Sequence, residues 1–139
     1  MAIRRALDIR PTQAYAHFNL GLVLLGLGNR DSALLAMQQE TSEYGQLEGL
    51  AIAYYSLKRV ADSDAALSRM LKEQGDGNAM GIAEVYGFRG QPDDAIRWIE
   101  RAYSQKDVGL YLIKGNPPLK TLEGDPRYRA LLKKMNLPE

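Results

Sequence analysis

The chain contains no cysteine, and among its 139 residues there is a single histidine. The missing cysteines exclude disulfide bonds, zinc–thiolate sites and cysteine catalysis. Because His17 is the only imidazole, no histidine pair can form a metal site, and a Ser-His-Asp arrangement has too few parts. We therefore expect a non-catalytic protein that needs no cofactor and no metal.

The chain also lacks an excess of either charge and a long apolar run. Its 18 basic and 17 acidic residues leave a net charge of +1, which excludes a strong field for nucleic acid or an acidic membrane. The longest apolar stretch, residues 18–27, has about half the length of a bilayer span. The first five residues are not followed by the apolar run of a signal peptide. These features favour a cytoplasmic protein with no direct nucleic-acid or membrane partner.

Three pairs of small residues, each twelve positions apart, form the strongest pattern in the chain. The pairs are Gly21 with Ala33, Ala51 with Ser63, and Ala83 with Ala95. Two antiparallel helices whose axes are about 8–10 Å apart need small side chains where they touch. Gly28, Lys58 and Gly90 lie about halfway between the members of each pair. The spacing therefore predicts three helix pairs, each with a turn at one of these residues.

This pattern resembles the tetratricopeptide repeat (TPR), whose consensus is W-x₂-L-G-x₂-Y…A-x₃-F…P. The three copies run His17-x₂-Leu20-Gly21-x₂-Leu24…Ala33-x₃-Met37, Leu47-x₂-Leu50-Ala51-x₂-Tyr54…Ser63-x₃-Leu67, and Ala79-x₂-Ile82-Ala83-x₂-Tyr86…Ala95-x₃-Ile99. The resemblance implies an all-α fold, a right-handed α-solenoid of antiparallel helix pairs with a C-terminal capping helix. It implies the following segments: 1–12, the second helix of a truncated preceding repeat; 13–44, 45–75 and 76–107, the three repeats; and 108–139, the cap.

The helices are expected over residues 2–10, 13–28, 30–42, 46–58, 60–73, 78–89 and 92–105, with Gly45, Gly75, Gly77 and Gly90 in connections. After residue 105 the period fails. A short helix is expected to start at Pro118, and Asp125 is expected to cap a last helix with Pro126 at its first position. This tail helix should fold back over the third pair, because terminal units of an array need a cap. Trp98 and Tyr103 are expected to pack against it.

The first ten residues resemble the second helix of an earlier repeat. Ala6 and Pro11 occupy the positions of its last small residue and its closing proline, and Ile3 and Leu7 give it an apolar face. This favours a chain cut from a longer protein, with a free N-terminal capping helix as the alternative. In the first case Ile3 and Leu7 lack a partner on one side, and we expect weak homodimerisation through this N-terminal edge.

Residues from about 50 to the end resemble a narrower group, the C-terminal TPR segments of bacterial multidomain proteins. The resemblance is carried by Ala61-Asp62-Ser63-Asp64-Ala65-Ala66-Leu67, Trp98-Ile99-Glu100-Arg101-Ala102-Tyr103, Asp125-Pro126-Arg127-Tyr128 and Leu137-Pro138. In such proteins the array follows an adenylate-cyclase, winged-helix or kinase domain. Asn116-Pro117-Pro118 departs from the Asp-Pro pair expected there.

In TPR arrays the first helix of each pair lines a concave groove that binds a peptide. The resemblance assigns to this groove Tyr15, Phe18, Leu22, Leu25, Glu48, Ile52, Tyr55, Met80, Glu84 and Phe88. Such an apolar and aromatic surface suits an amphipathic helix or apolar peptide with a basic residue, and we expect a protein or peptide partner. Two alternatives remain open: the tail or a neighbouring repeat fills the groove, or the array is a regulatory or oligomerisation domain that packs on its own effector domain.

Overall fold

The computed structural model describes residues 15–106, 113 and 116–135. In these ranges the chain is all-α, with consecutive helices packed in antiparallel pairs and no β-strand. The helices are α1 (Ala16–Gly26), α2 (Arg30–Gln38), α3 (Glu43–Ser56), α4 (Val60–Gln74), α5 (Ala79–Phe88), α6 (Pro92–Ser104), a 3-10 helix (Pro117–Leu122) and α7 (Pro126–Lys134). The chain divides into two compact units, Met1–Glu73 and Gln74–Glu139.

The hairpins α1–α2, α3–α4 and α5–α6 close through the same turn. A residue just past the first helix adopts a left-handed conformation, at Gly28 (φ 84°), Lys58 (φ 63°) and Gly90 (φ 70°). The N–H of the residue that follows donates to a carbonyl in the last turn of the helix, at 2.8–2.9 Å: Asn29 to Leu24, Arg59 to Tyr54, and Gln91 to Tyr86. This bond satisfies one of the carbonyls that a helix end leaves unpaired. The three predicted turns are therefore confirmed.

Lys58 occupies a position where a glycine fits better, because a left-handed conformation costs a residue with a Cβ roughly 1–2 kcal/mol. We expect Lys58→Gly to raise the free energy of unfolding by about 0.5–1 kcal/mol, the gain being reduced by the greater freedom of glycine in the unfolded chain. Lys72→Gly, inside α4, should lower it by a similar amount. Urea unfolding measures both changes. If both substitutions raised or both lowered the free energy of unfolding, the result would contradict the strain assigned to the left-handed Lys58.

The small residues of the three pairs lie at helix contacts, as predicted. Ala33, Ala51, Ser63, Ala83 and Ala95 are all 0% exposed. In the second pair the contact is direct, because the Ser63 hydroxyl donates to the Ala51 carbonyl at 2.7 Å. In the first pair a Cβ built on Gly21 would stand 2.6 Å from the thioether sulfur of Met37 on α2. Close helix approach therefore explains why these positions carry small side chains.

Ala95 offers a direct test of this packing in the third pair. Ala95→Leu adds three carbons to a site with no exposed surface and should lower the free energy of unfolding by about 1–3 kcal/mol. The matched control is Ala65→Leu, on the exposed side of α4, which should cost much less. Thermal or urea melts in which the two variants behave alike would contradict the assigned contact.

Two helix boundaries in the first unit differ from the prediction. The second helix was expected over 30–42 and the third over 46–58, with Gly45 in the connection. In the structure α2 ends at Gln38 and α3 already begins at Glu43. Ser42 caps α3 by accepting the Gly45 N–H at 3.0 Å, and this bond draws Gly45 into the first turn. A Cβ on Gly45 would stand 2.6 Å from the Ser42 hydroxyl, so the tight cap also needs the glycine.

The C-terminal segment packs on the α5–α6 hairpin, where the tail helix was expected to fold back. Asp125 accepts the Arg127 N–H at 2.8 Å and caps α7. The 3-10 helix packs on α5, and α7 contacts α6. Together they complete one apolar core, formed by Ala79, Met80, Ala83, Ala95, Ile96, Ile99, Ala102, Ile113, Leu119, Leu122, Tyr128, Leu131 and Leu132. Trp98 packs against this core, and the Tyr103 ring lies 4.8 Å from the Lys134 ammonium of α7.

Some sequence predictions fall on residues outside the described ranges. These are the N-terminal half-repeat helix, the apolar edge of Ile3 and Leu7 with the homodimer expected from it, and the closing Leu137-Pro138. They stay predictions.

Candidate binding surface

The predicted groove residues of the first unit lie on α1 and α3, two helices in contact with each other. Tyr15 immediately precedes α1 and is 39% exposed. Leu22 and Leu25 on α1 and Tyr55 on α3 are partly buried. These four side chains keep some accessible surface.

Three other groove residues of this unit are buried, which contradicts the expectation that they are accessible. Phe18 and Glu48 are each 4% exposed, and Ile52 is 0% exposed. The reason is the position of α3, which contacts α1 and α2 and is bonded to α4 through Ala51. A helix with neighbours on so many sides has little free face. The Phe18 N–H donates to Glu40 in the connection between α2 and α3, so the start of α1 is also in contact with a neighbouring segment.

In the second unit, α5 carries the remaining three groove residues. Met80 is 2% exposed and belongs to the apolar core, so its assignment to an open surface is wrong. Glu84 and Phe88, one helical turn apart, are partly exposed. Of the predicted set, the accessible members are thus Tyr15, Leu22, Leu25 and Tyr55 in one unit and Glu84 and Phe88 in the other.

Glu40, which the sequence analysis did not single out, is a buried carboxylate beside this surface that accepts three backbone N–H groups. It is 4% exposed and lies in the connection between α2 and α3. One carboxylate oxygen, Oε2, accepts the N–H of Tyr15 at 3.0 Å and of Ser42 at 2.9 Å. The other, Oε1, accepts the N–H of Phe18 at 2.9 Å. In the sequence, the position of Glu40 two residues before Ser42, the cap of α3, was the only feature that could have pointed to a capping role.

These bonds make Glu40 the cap of α1, although it lies 25 residues from Tyr15 along the chain. The first N–H groups of a helix have no partner inside it, and the positive end of the helix dipole favours a carboxylate. The Tyr15 side chain makes no capping bond of its own. Burial by itself raises the pKa of Glu40, but hydrogen bonds from the three N–H groups and from the Ser42 side chain outweigh it and hold the pKa below its ordinary value.

The lowered pKa predicts a pH-dependent contribution to stability. The ionised Glu40 stabilises the folded chain above the ordinary glutamate pKa, and this contribution is lost as the pH falls through the lower folded-state pKa. At neutral pH, Glu40→Gln should lower the free energy of unfolding by about 1–3 kcal/mol, because glutamine keeps only one acceptor oxygen and at least one of the three N–H donors loses its partner. At a pH below both values the difference from the wild type should shrink.

Urea unfolding of the wild type and Glu40→Gln at neutral and acid pH measures this effect. Glu100→Gln, an exposed carboxylate on α6, is the control and should change little at either pH. A deficit for Glu40→Gln that stays the same at acid pH would contradict the assignment.

The other charged groups support helix ends or surface contacts. Arg127 is 2.7 Å from Asp93 at the start of α6 and 2.8 Å from Asp125, whose pKa it holds below the ordinary value by hydrogen bonding. Arg59 pairs with Asp62 in the first turn of α4 at 2.8 Å. In the described ranges, no three His, Asp or Glu side chains lie close enough together to hold a metal ion. Those ranges also contain no helix with the length and apolarity that a bilayer crossing needs.

No protein-family model, curated protein or solved structure matches this chain. The functional proposal therefore depends on the sequence pattern and on the geometry of the two units.

Proposed function

We propose that the chain is a non-catalytic protein-interaction module built from tetratricopeptide-type repeats, the α-solenoid class that its sequence resembles. The observation that carries the proposal is the repetition of one hairpin. Three features recur three times in the same relative positions: the left-handed turn residue, the hydrogen bond from the N–H of the next residue back to the last turn of the first helix, and the buried pair of small residues. Repeated helix hairpins that stack on one another serve chiefly as scaffolds with extended binding surfaces.

The partner we propose is a peptide that binds as an amphipathic helix, with its apolar side on the accessible part of the predicted surface. In the first unit this part consists of Tyr15, Leu22, Leu25 and Tyr55. Aromatic and aliphatic side chains of this kind bind the apolar face of an amphipathic helix. The anchor residues of such a peptide lie about one helical turn apart. Tyrosine in particular supplies a large contact area at little cost in side-chain entropy.

A display library of amphipathic helical peptides, selected on the full chain, tests this proposal. We expect a peptide family with apolar residues at helical spacing to be enriched and to bind the purified chain in a calorimetric titration. Leu22→Ser should weaken its binding by at least about tenfold, as loss of an anchor contact does.

The matched control is Leu35→Ser on α2, because Leu35 is 59% exposed and lies outside the proposed surface. Its affinity for the selected peptide should stay within about twofold of the wild type, as for contacts outside an energetic centre. Absence of any enriched peptide, or equal losses in the two variants, would contradict the proposal. An empty selection would instead favour an array that packs on another domain of its own protein.

A further inference from the structure

The start of α1 combines a strained backbone with an unusually complete set of hydrogen bonds. Tyr15 has φ 65° and ψ −1°, a left-handed conformation that is rarely adopted by a residue with a large side chain. Its N–H is held by Glu40, and its ring stands 6.1 Å from the Phe18 ring, centroid to centroid. A Cβ on Gly45 would come within 3.2 Å of the same ring. The surroundings thus impose on Tyr15 a conformation that it would not choose alone.

Glu40 is the group that holds this arrangement together. It is the acceptor for the N–H of Tyr15, of Phe18 and of Ser42, so one carboxylate joins the start of α1 to the start of α3. If it withdraws, Tyr15 can relax to an ordinary conformation, because strain of this kind persists only where the structure enforces it. The first turn of α1 would then open and expose Phe18, which is buried when the bonds are made.

We propose that Glu40, Tyr15 and Phe18 form a latch that opens locally and regulates the aromatic end of the proposed binding surface. In the closed state Glu40 accepts its N–H groups, the Tyr15 side chain is exposed and Phe18 is buried. In the open state these bonds are broken and both side chains are accessible. The regulatory part of this proposal rests on the proposed function, whereas the latch itself does not.

Amide hydrogen exchange on the full chain tests the latch without any ligand. In Glu40→Gln the amides of Tyr15, Phe18 and Ser42 should exchange at least about tenfold faster than the loss of stability measured by urea unfolding accounts for, while those of Ala33 and Ser63, in the same unit, should accelerate by no more than that loss. Glu43→Gln, an exposed neighbour in the first turn of α3, is the matched control and should leave the three amides unchanged. Equal acceleration of all amides in the unit would show that Glu40 stabilises the unit as a whole and is only a structural cap. Unchanged exchange of the three amides would show that Glu40 does not hold the start of α1 closed.

The peptide selected on the wild type tests the regulation. If opening adds Phe18 to the surface that the peptide contacts, the open state binds the peptide more tightly, and Glu40→Gln, which raises the open fraction, should bind it several-fold more tightly than the wild type. Unchanged or weaker binding, with the amides accelerated as expected, would keep the latch and overturn its regulatory role. If no peptide is selected at all, the proposed function fails, and with it the regulatory role, while the exchange experiment still decides the latch.

Discussion

Replacing Met37 with alanine is expected to lower the free energy of unfolding of the first unit by about 2–5 kcal/mol. Met37 has no exposed surface and lies in α2 between two glycines, Gly21 on α1 and Gly49 on α3. Its side chain fills the space that a Cβ on either glycine would occupy. Truncation leaves a cavity at the meeting point of three helices, none of which can move in without disturbing the other two.

A double-mutant cycle tests whether the Met37 side chain packs directly against Gly21. A Cβ on Gly21 would stand 2.6 Å from the Met37 sulfur and terminal methyl and 3.3 Å from Cγ, all atoms that Met37→Ala removes. The Met37 side chain has little room to move aside, because a Cβ built on Gly49 would meet the same sulfur and the side chain has no exposed surface. Gly21→Ala should therefore destabilise the wild type but be neutral or stabilising beside Met37→Ala, where alanine's better helix propensity is no longer opposed.

We expect a coupling free energy of about 1–3 kcal/mol between these two substitutions, measured by urea unfolding of the four proteins in the cycle. Gly26→Ala, at the end of the same helix with nothing near its Cβ, is the control and should not couple to Met37→Ala. Additive effects of Gly21→Ala and Met37→Ala on the free energy of unfolding would contradict this direct packing.

Gly87→Ala is expected to detach the 3-10 helix from α5. Its Cβ would stand 2.9 Å from the Pro118 carbonyl oxygen and 2.8 Å from a Leu119 methyl, and a backbone atom cannot yield as a side-chain end can. Leu119 and Leu122 are each 1% exposed in the docked state. Their partial return to water should cost about 2–4 kcal/mol, and the bond from the Thr121 hydroxyl to the Gly87 carbonyl, 2.7 Å long, is lost as well.

Urea unfolding gives the loss of stability, and faster exchange of the Leu119 amide, which bonds to the Asn116 carbonyl at 3.0 Å, identifies the segment that moves. Gly124→Ala is the control, because nothing lies near its Cβ. A Gly87→Ala protein as stable as this control, with the Leu119 amide still protected, would show that the glycine is not needed for docking.

The predicted groove residues show where sequence patterns stop being informative. Leu22 and Tyr55 lie on α1 and α3, two helices in contact, and together with Tyr15, which precedes α1, they keep some accessible surface. Position within a repeat failed for Ile52 and Met80, because burial depends on how many neighbours a helix has. A spacing rule describes one face of a helix and not the elements that cover the other faces.

The sequence by itself determined the helix pairs, their small contact residues, their three turns and a last helix that Asp125 caps and Pro126 begins. These features follow from local rules: a left-handed turn residue, a serine or aspartate cap, and small side chains at fixed intervals. Only the tertiary structure decided that Glu40 caps α1, that Gly21 and Gly49 enclose Met37, and that Gly87 seats the 3-10 helix. Each of these contacts joins residues far apart in the chain, and their meeting depends on the distance and angle between helices, which no local pattern encodes.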